Sequence, residues 1–278
     1  MSEDHLSIDT KVFLNNGVEM PVFGLGTYLS GSSRETRDIV SYALEIGHRH
    51  FDTARFYGNE RDIGEAIRGS GIPREDIFIT TKLWNDDHGF HRALGAFDES
   101  LRDLGLDYVD LYLIHWPVQG LRNESWRALE KLLVDGRCRA IGVSNYTIAH
   151  LKELLDLSPV MPSINQVEFH PFLYQKDLLA FCRSNDIRLE SYSPLTKGRK
   201  LDDLRLGEIA RAYAKSPAQI LIRWALQKDV IVIPKSSRKE KIRENAAVFD
   251  FAISGEDMDR LDALHGNFRV TWDPTTVP

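Results

Sequence analysis

Cysteine is nearly absent from this chain. Its two copies in 278 residues, Cys138 and Cys182, lack the paired spacing of a disulfide framework or a metal knuckle. Both are expected as buried, reduced thiols. Long hydrophobic runs are also missing: no apolar stretch approaches the roughly 18 residues of a membrane helix. The opening segment Met1-Ser2-Glu3-Asp4-His5 is polar and acidic, unlike a signal peptide. Positive charge is in deficit, with 35 Lys and Arg against 41 Asp and Glu, a net charge of −6 that argues against a nucleic-acid surface. There is no low-complexity block, no placed Ser-His or Cys-His nucleophile and no ligand set at metal spacing. These absences leave a cytoplasmic protein without membrane or nucleic-acid partners, read as a monomer acting on a small molecule.

What is present is a repeating alternation. Residues 11–22 read as a hairpin about a two-residue Asn16-Gly17 turn. Val22-Phe23-Gly24-Leu25-Gly26-Thr27 follows as a short strand ending in glycines. Ser32 and Glu35 form a capping box that opens a helix to residue 46. Strands are expected at 48–52, 77–83, 108–115, 140–144, 164–168, 187–192 and 230–233. Helices are expected at 59–68, 91–104, 125–134, 150–155, 176–183, 216–227, 240–247 and 256–264. Eight strand-helix units after a hairpin, with no linker, predict an α/β fold: one (β/α)8 TIM barrel domain over residues 1–278. A doubly wound sheet is the rival. Its Gly-x-Gly-x-x-Gly fingerprint fails, because Gly24-Leu25-Gly26-Thr27-Tyr28-Leu29 lacks the third glycine.

Barrel enzymes place their chemistry at the C-terminal ends of strands. Here seven polar residues follow apolar stretches and precede loops: Asp52, Lys82, His115, Asn145, Gln166, Tyr192 and Lys235. Each alone has a bland explanation, as a helix cap, a snorkelling lysine or a core histidine. Seven in register are hard to assign to packing, because buried charges need partners. Asp52 and Lys82 on neighbouring strands can pair, and Tyr57 can lean on the Lys82 ammonium. A nearby cation is then expected to lower the Tyr57 pKa from its ordinary value of about 10. A tyrosine so placed is a general acid for an oxygen gaining negative charge, and His115 can donate a second hydrogen bond. Such an apparatus suits carbonyl reduction or its reverse. Ser144, Asn145 and Gln166 can hold a flat carboxamide, and Tyr192 can stack on a ring. Lys235, Ser236, Ser237 and Arg238 offer cations and hydroxyls before a helix start, where barrels bind phosphate.

In this order the motifs resemble the aldo-keto reductase family from about residue 12 to residue 278. They are Gly24-Leu25-Gly26-Thr27, Asp52-Thr53-Ala54 with Tyr57-Gly58-Asn59-Glu60, Thr81-Lys82-Leu83-Trp84, Ile114-His115-Trp116-Pro117, Gly142-Val143-Ser144-Asn145, Ser191-Tyr192-Ser193-Pro194-Leu195, Ile233-Pro234-Lys235-Ser236 and Glu244-Asn245. The resemblance implies a barrel closed at its base by the hairpin, and NADPH bound without a Rossmann domain. It implies a catalytic tetrad of Asp52, Tyr57, Lys82 and His115. Cofactor contacts are implied at Gly26, Thr27, Asp52, Ser144, Asn145, Gln166, Tyr192, Ser193, Pro194, Leu195, Lys235, Ser236, Ser237, Arg238, Lys241, Glu244 and Asn245. The substrate, an aldehyde or reactive ketone, would meet Tyr28, Phe56, Trp84, His115, Trp116 and Trp272. A histidine at 115, where the family's steroid double-bond reductases resemble one another in carrying Glu, favours carbonyl reduction.

Three departures matter. Lys241 stands where many members carry arginine, so the preference for NADPH over NADH is expected to be weaker. Tyr28 replaces a frequent tryptophan. The connection from Pro117 to Trp126 and the tail after His265 are short, which implies an open pocket of broad specificity, similar to the 2,5-diketo-gluconic acid reductase-like members. Two other readings compete. One is a cofactor-sensing interaction protein, as in the potassium-channel β-subunits, which no partner-binding extension before Val12 supports. The other is a Schiff-base aldolase on Lys82, disfavoured because Asp52 would raise the pKa that such a lysine needs lowered. Arg55 has no role readable from sequence.

Overall fold

The computed structural model describes residues 6–278, and the polar opening segment 1–5 lies outside the described residues. Strands β1 (Lys11–Phe13) and β2 (Glu19–Pro21) form the expected hairpin, with Val12 opposite Met20. The turn is longer than the Asn16-Gly17 pair. Leu14 accepts from Gly17 and donates to Val18 at 2.9 Å each, which leaves a three-residue loop with Gly17 at φ +82°. The extra residue, Asn15, is used. Its amide donates to Pro162 at 3.1 Å and its Oδ1 accepts from Ser163 at 2.6 Å, while Asn16 donates to the Arg139 carbonyl at 2.9 Å. Tertiary anchoring thus decides the loop length.

Eight parallel strands follow: β3 (Leu25–Gly26), β4 (His50–Asp52), β5 (Phe78–Leu83), β6 (Val109–Ile114), β7 (Cys138–Ser144), β8 (Ile164–Glu168), β9 (Arg188–Tyr192) and β10 (Ile231–Val232). They pair in sequence order from β3 to β10. Phe23 bridges Val232, and the Gly24 and Gly26 amides donate to Val232 and Pro234 at 2.9 and 3.2 Å, so first and last strands meet. The curled sheet closes as a (β/α)8 barrel. Glycine at 26 is demanded by this closure: a Cβ there would lie 2.9 Å from the Ile233 carbonyl oxygen. The hairpin contacts Arg139, Ser163 and Arg188, at the N-terminal ends of β7, β8 and β9, which puts it across the barrel base.

β5 and β6 are buried at every position, as a strand walled on both faces requires. Around them Leu111, Leu113, Ile114 and Val143 are fully buried, and the Phe97 ring meets Tyr112 edge-on at 4.7 Å. Both cysteines are free and buried, and burial pushes each thiol up to about 12. One helix went unread in the sequence, Leu204–Ala212, although Leu206, Ile209 and Ala210 form its buried stripe and Asp203 caps it. The loop-rich stretch before it masked the signal.

Candidate active site

The sequence between β4 and the helix Glu60–Gly69 builds the centre of the site. Asp52 ends β4, and Ala54 continues extended before a single 3-10 turn, Arg55–Tyr57. Asn59 holds this excursion. Its Oδ1 accepts from Thr53 at 2.7 Å and its amide donates to the Thr27 carbonyl at 2.9 Å. Glu60 accepts from Thr81 at 2.6 Å. The Asn-Glu half of the motif is therefore structural, fixing a turn that presents Tyr57.

Lys82, fully buried on β5, donates to Asp52 Oδ1 at 2.6 Å and to the Thr53 carbonyl at 2.7 Å. Its Nζ stands 3.4 Å from the Tyr57 hydroxyl and 4.9 Å from the ring centroid. The paired carboxylate makes an uncompensated buried charge unnecessary. His115 follows β6, with its ring centroid 5.7 Å from that of Tyr57. Three residues expected at strand ends, Asp52, Lys82 and His115, thus converge with Tyr57 from the turn after β4.

Their electrostatics correct one expectation. Tyr57 is not pulled toward phenolate: its pKa lies well above the ordinary value, because burial dominates and Asp52, Tyr28 and Glu190 add to it. Lys82 does not reverse this, since Asp52 already spends much of its field. Tyr57 is consequently a neutral phenol, a donor rather than a base. His115 is pushed well below its usual value by burial and by Lys82, so it is a neutral imidazole. Burial raises Asp52, against the opposing pull of Lys82 and Gln166.

Beneath the tetrad lies a group that the sequence reading missed. Glu190, fully buried on β9, is pushed up to about 8 by burial and by Asp52. The Gln166 amide donates to Asp52 Oδ2 and to Glu190 Oε2, at 2.8 Å each. Both hydrogens of that amide point inward, leaving its Oε1 to accept from a ligand. A glutamate inside the strand Arg188–Tyr192 was the available signal, an acid between Leu189 and Ser191 at the middle of a barrel strand.

A cavity of about 650 Å³ opens at these strand ends, within the usual range of a small-molecule site. Of the expected residues it gathers Gly26, Thr27, Asp52, Tyr57, His115, Asn145, Gln166, Tyr192, Ser193, Pro194, Leu195 and Lys235. The aromatic wall of Tyr28, Phe56, Trp84, Trp116 and Trp272 lines it too. Lys82 sits behind Tyr57 and does not reach it. Ser144 is also withdrawn, donating to the Gln166 carbonyl at 2.8 Å. Asn145 is committed: its amide donates to the His115 carbonyl at 3.0 Å and to Ser144 at 3.1 Å, and its Oδ1 accepts from Tyr192 at 2.7 Å. Ser236, Ser237, Arg238, Lys241, Glu244 and Asn245 lie outside this cavity, along the start and length of the helix Lys239–Ala246. Lys241 is paired with Glu244, and exposed Arg238 stands 3.7 Å from Glu240. Lining residues that sequence reasoning missed include Leu29, Lys197 and Thr271.

These groups fit a nicotinamide dinucleotide. Lys235 is a half-buried cation on the cavity with no ion-pair partner among the described residues, and burial lowers its pKa, so an anion would complete it. The Gln166 oxygen can take a carboxamide N–H, and the Tyr192 ring lies on the wall.

Comparison with known proteins agrees with this geometry. Residues 22–265 match the Aldo/keto reductase family. YtbE of Bacillus subtilis, described as an uncharacterized oxidoreductase, is 51% identical, with 96% of this chain and 97% of that protein covered. The glyoxal reductase of the same organism is 49% identical over 96% and 97% of the two chains. An aldo-keto reductase of Bombyx mori, solved in complex with NADP, superposes with a TM-score of 0.90 at 35% identity, covering 96% of this chain and 95% of that one. The chain belongs to the aldo/keto reductase family of oxidoreductases.

Proposed function

We propose that this chain reduces small aldehydes, dicarbonyls and reactive ketones with broad specificity, with Tyr57 as the proton donor. The observation that carries the reading is Lys82 Nζ seated between Asp52, at 2.6 Å, and the Tyr57 hydroxyl, at 3.4 Å, behind an aromatic-walled cavity. NADPH, when bound, supplies the hydride. The chain supplies the rest. Tyr57, a phenol at neutral pH, gives its proton to the carbonyl oxygen as charge develops there. Lys82 stabilises the phenolate left behind, and Asp52 holds Lys82 in place. His115, a neutral imidazole on the cavity wall, offers a second hydrogen bond to the same oxygen. Gln166 would orient the carboxamide, Tyr192 would back the ring, and Lys235 with Arg238 would meet the phosphates.

NADH would serve as a weaker alternative, since the Lys241 ammonium is already paired with Glu244. All tetrad residues come from one chain, which supports a working monomer folded as one domain. A cytoplasmic setting is supported by two buried free thiols, and no helix among the described residues is long and apolar enough to cross a membrane.

A panel of aldehydes, dicarbonyls, keto-sugars and keto-esters, followed by NADPH absorbance in both directions, tests this reading. Fast NADPH oxidation with activated aldehydes and dicarbonyls is expected. Tight NADPH binding with no turnover across the panel would instead support the sensor reading.

A further inference from the structure

Arg55, at the head of the turn that carries Tyr57, has no part in the chemistry above. Its surroundings are specific nonetheless. Arg55 Nε donates to Asp87 Oδ2 at 2.9 Å, and its guanidinium also pairs with Glu99 on the helix Phe90–Leu104. The two ends of the first pair sit beside two rings. Phe56 is the residue after Arg55, and the Asp87 amide is bonded to the Trp84 carbonyl at 3.1 Å. The Phe56 and Trp84 rings stack with centroids 3.8 Å apart and planes 17° from parallel.

That stack is a partition. Phe56 and Trp84 line the active-site cavity of about 650 Å³, and they also line a second cavity of about 610 Å³ on their other side. The second cavity is walled by Arg55, Glu60, Asp62, Asp86, Asp87 and Asp103. Phe56 is 44% exposed, so packing alone does not immobilise it. We infer that Arg55 is a specificity-determining positioning residue: bridging Asp87 and Glu99, it braces the Phe56–Trp84 stack and keeps the carbonyl pocket separate from the neighbouring cavity. A planar guanidinium can hold two carboxylates at once, which a lysine ammonium does less well. The inference rests on the reading that the first cavity receives the carbonyl substrate.

The test compares kcat/KM for a bulky ketone, acetonaphthone, with that for methylglyoxal. In Arg55→Ala the bulky-to-small ratio should rise about three- to five-fold, the scale of a partly exposed ion pair, and the change should sit in KM rather than kcat. Glu99→Gln, on an outer helix face, should move the ratio the same way but less, and decides the matter if Arg55→Ala does not fold. High salt should move the ratio upward in the unmodified protein and leave Arg55→Ala unaffected, because the brace is screened. The Trp84 indole N–H resonance, assigned with Trp84→Phe, reports the stack without turnover and should shift and broaden in Arg55→Ala. An unchanged ratio or an unchanged resonance in folded variants would overturn the brace. Absence of methylglyoxal turnover in the unmodified protein would instead overturn the reductase reading, and the resonance would still decide the brace.

Discussion

Tyr57 and Glu190 illustrate what a residue's neighbours do to it. Asp52, Lys82 and His115 were legible because each is a polar residue at the end of an apolar strand, and Tyr57 because it follows Asp52 on the loop before the next helix. The direction of the Tyr57 shift was not, because it depends on how deeply the phenol is enclosed and on acids from β4 and β9 that spacing does not reveal. Glu190 yields a prediction of definite sign. Its carboxyl titrates at about 8 in the folded chain and at 4.5 when free, so between these values the folded state keeps a proton that the unfolded state has lost. Its contribution to stability therefore falls as pH rises through that window, by about 1.4 kcal/mol per unit, and levels off above it. Glu190→Gln removes the slope. Urea denaturation at about pH 5 and pH 8 should show the variant gaining on the wild type at the higher pH, whereas parallel behaviour would refute a protonated Glu190.

At the scale of elements, most boundaries were readable because capping residues announce them. Ser216 with Gln219 and Pro217 opens the helix Pro217–Gln227 where expected. Anchoring through distant carbonyls was not readable, as the longer hairpin loop at Asn15 shows. The helix Lys239–Ala246 carries the cofactor prediction. Arg238 precedes its first turn, is well exposed, and pairs only loosely with Glu240, so its guanidinium is available to a phosphate. Arg238→Ala should weaken NADPH binding roughly ten-fold and NADH binding far less, as read by quenching of tryptophan emission. Equal losses for both would remove the proposed phosphate contact.

The whole molecule shows why a barrel, although packed, is not uniformly apolar inside. His50, Asp52, Lys82, Gln166 and Glu190 are all buried at the strands: Lys82 pairs with Asp52, Gln166 donates to both Asp52 and Glu190, and His50 Nε2 lies 3.5 Å from Glu190. The eightfold alternation predicted the architecture; the pairing across non-adjacent strands emerged only from closure. Besides His115, burial holds three more histidines neutral, His48 at about 4, His50 at about 3 and His88 at about 4. Each has a folded pKa below its free value of 6.5, so its contribution is complete above that pH and is lost as pH falls toward these values. With His115 these make four slopes of one sign, which outweigh the opposite slopes of Glu190, Asp52 and Glu60. The urea midpoint should therefore drop between about pH 7 and pH 5, and a flat or rising midpoint would contradict the neutral-histidine assignment.

The central claim is that Lys82-backed Tyr57 delivers the proton during carbonyl reduction. Tyr57→Phe keeps the ring against Tyr28 and Phe56 and deletes only the hydroxyl. Single-turnover NADPH oxidation with methylglyoxal should slow by about 10²-fold or more, while the NADPH dissociation constant stays within about two-fold. A variant that oxidises NADPH at the wild-type rate would contradict the account.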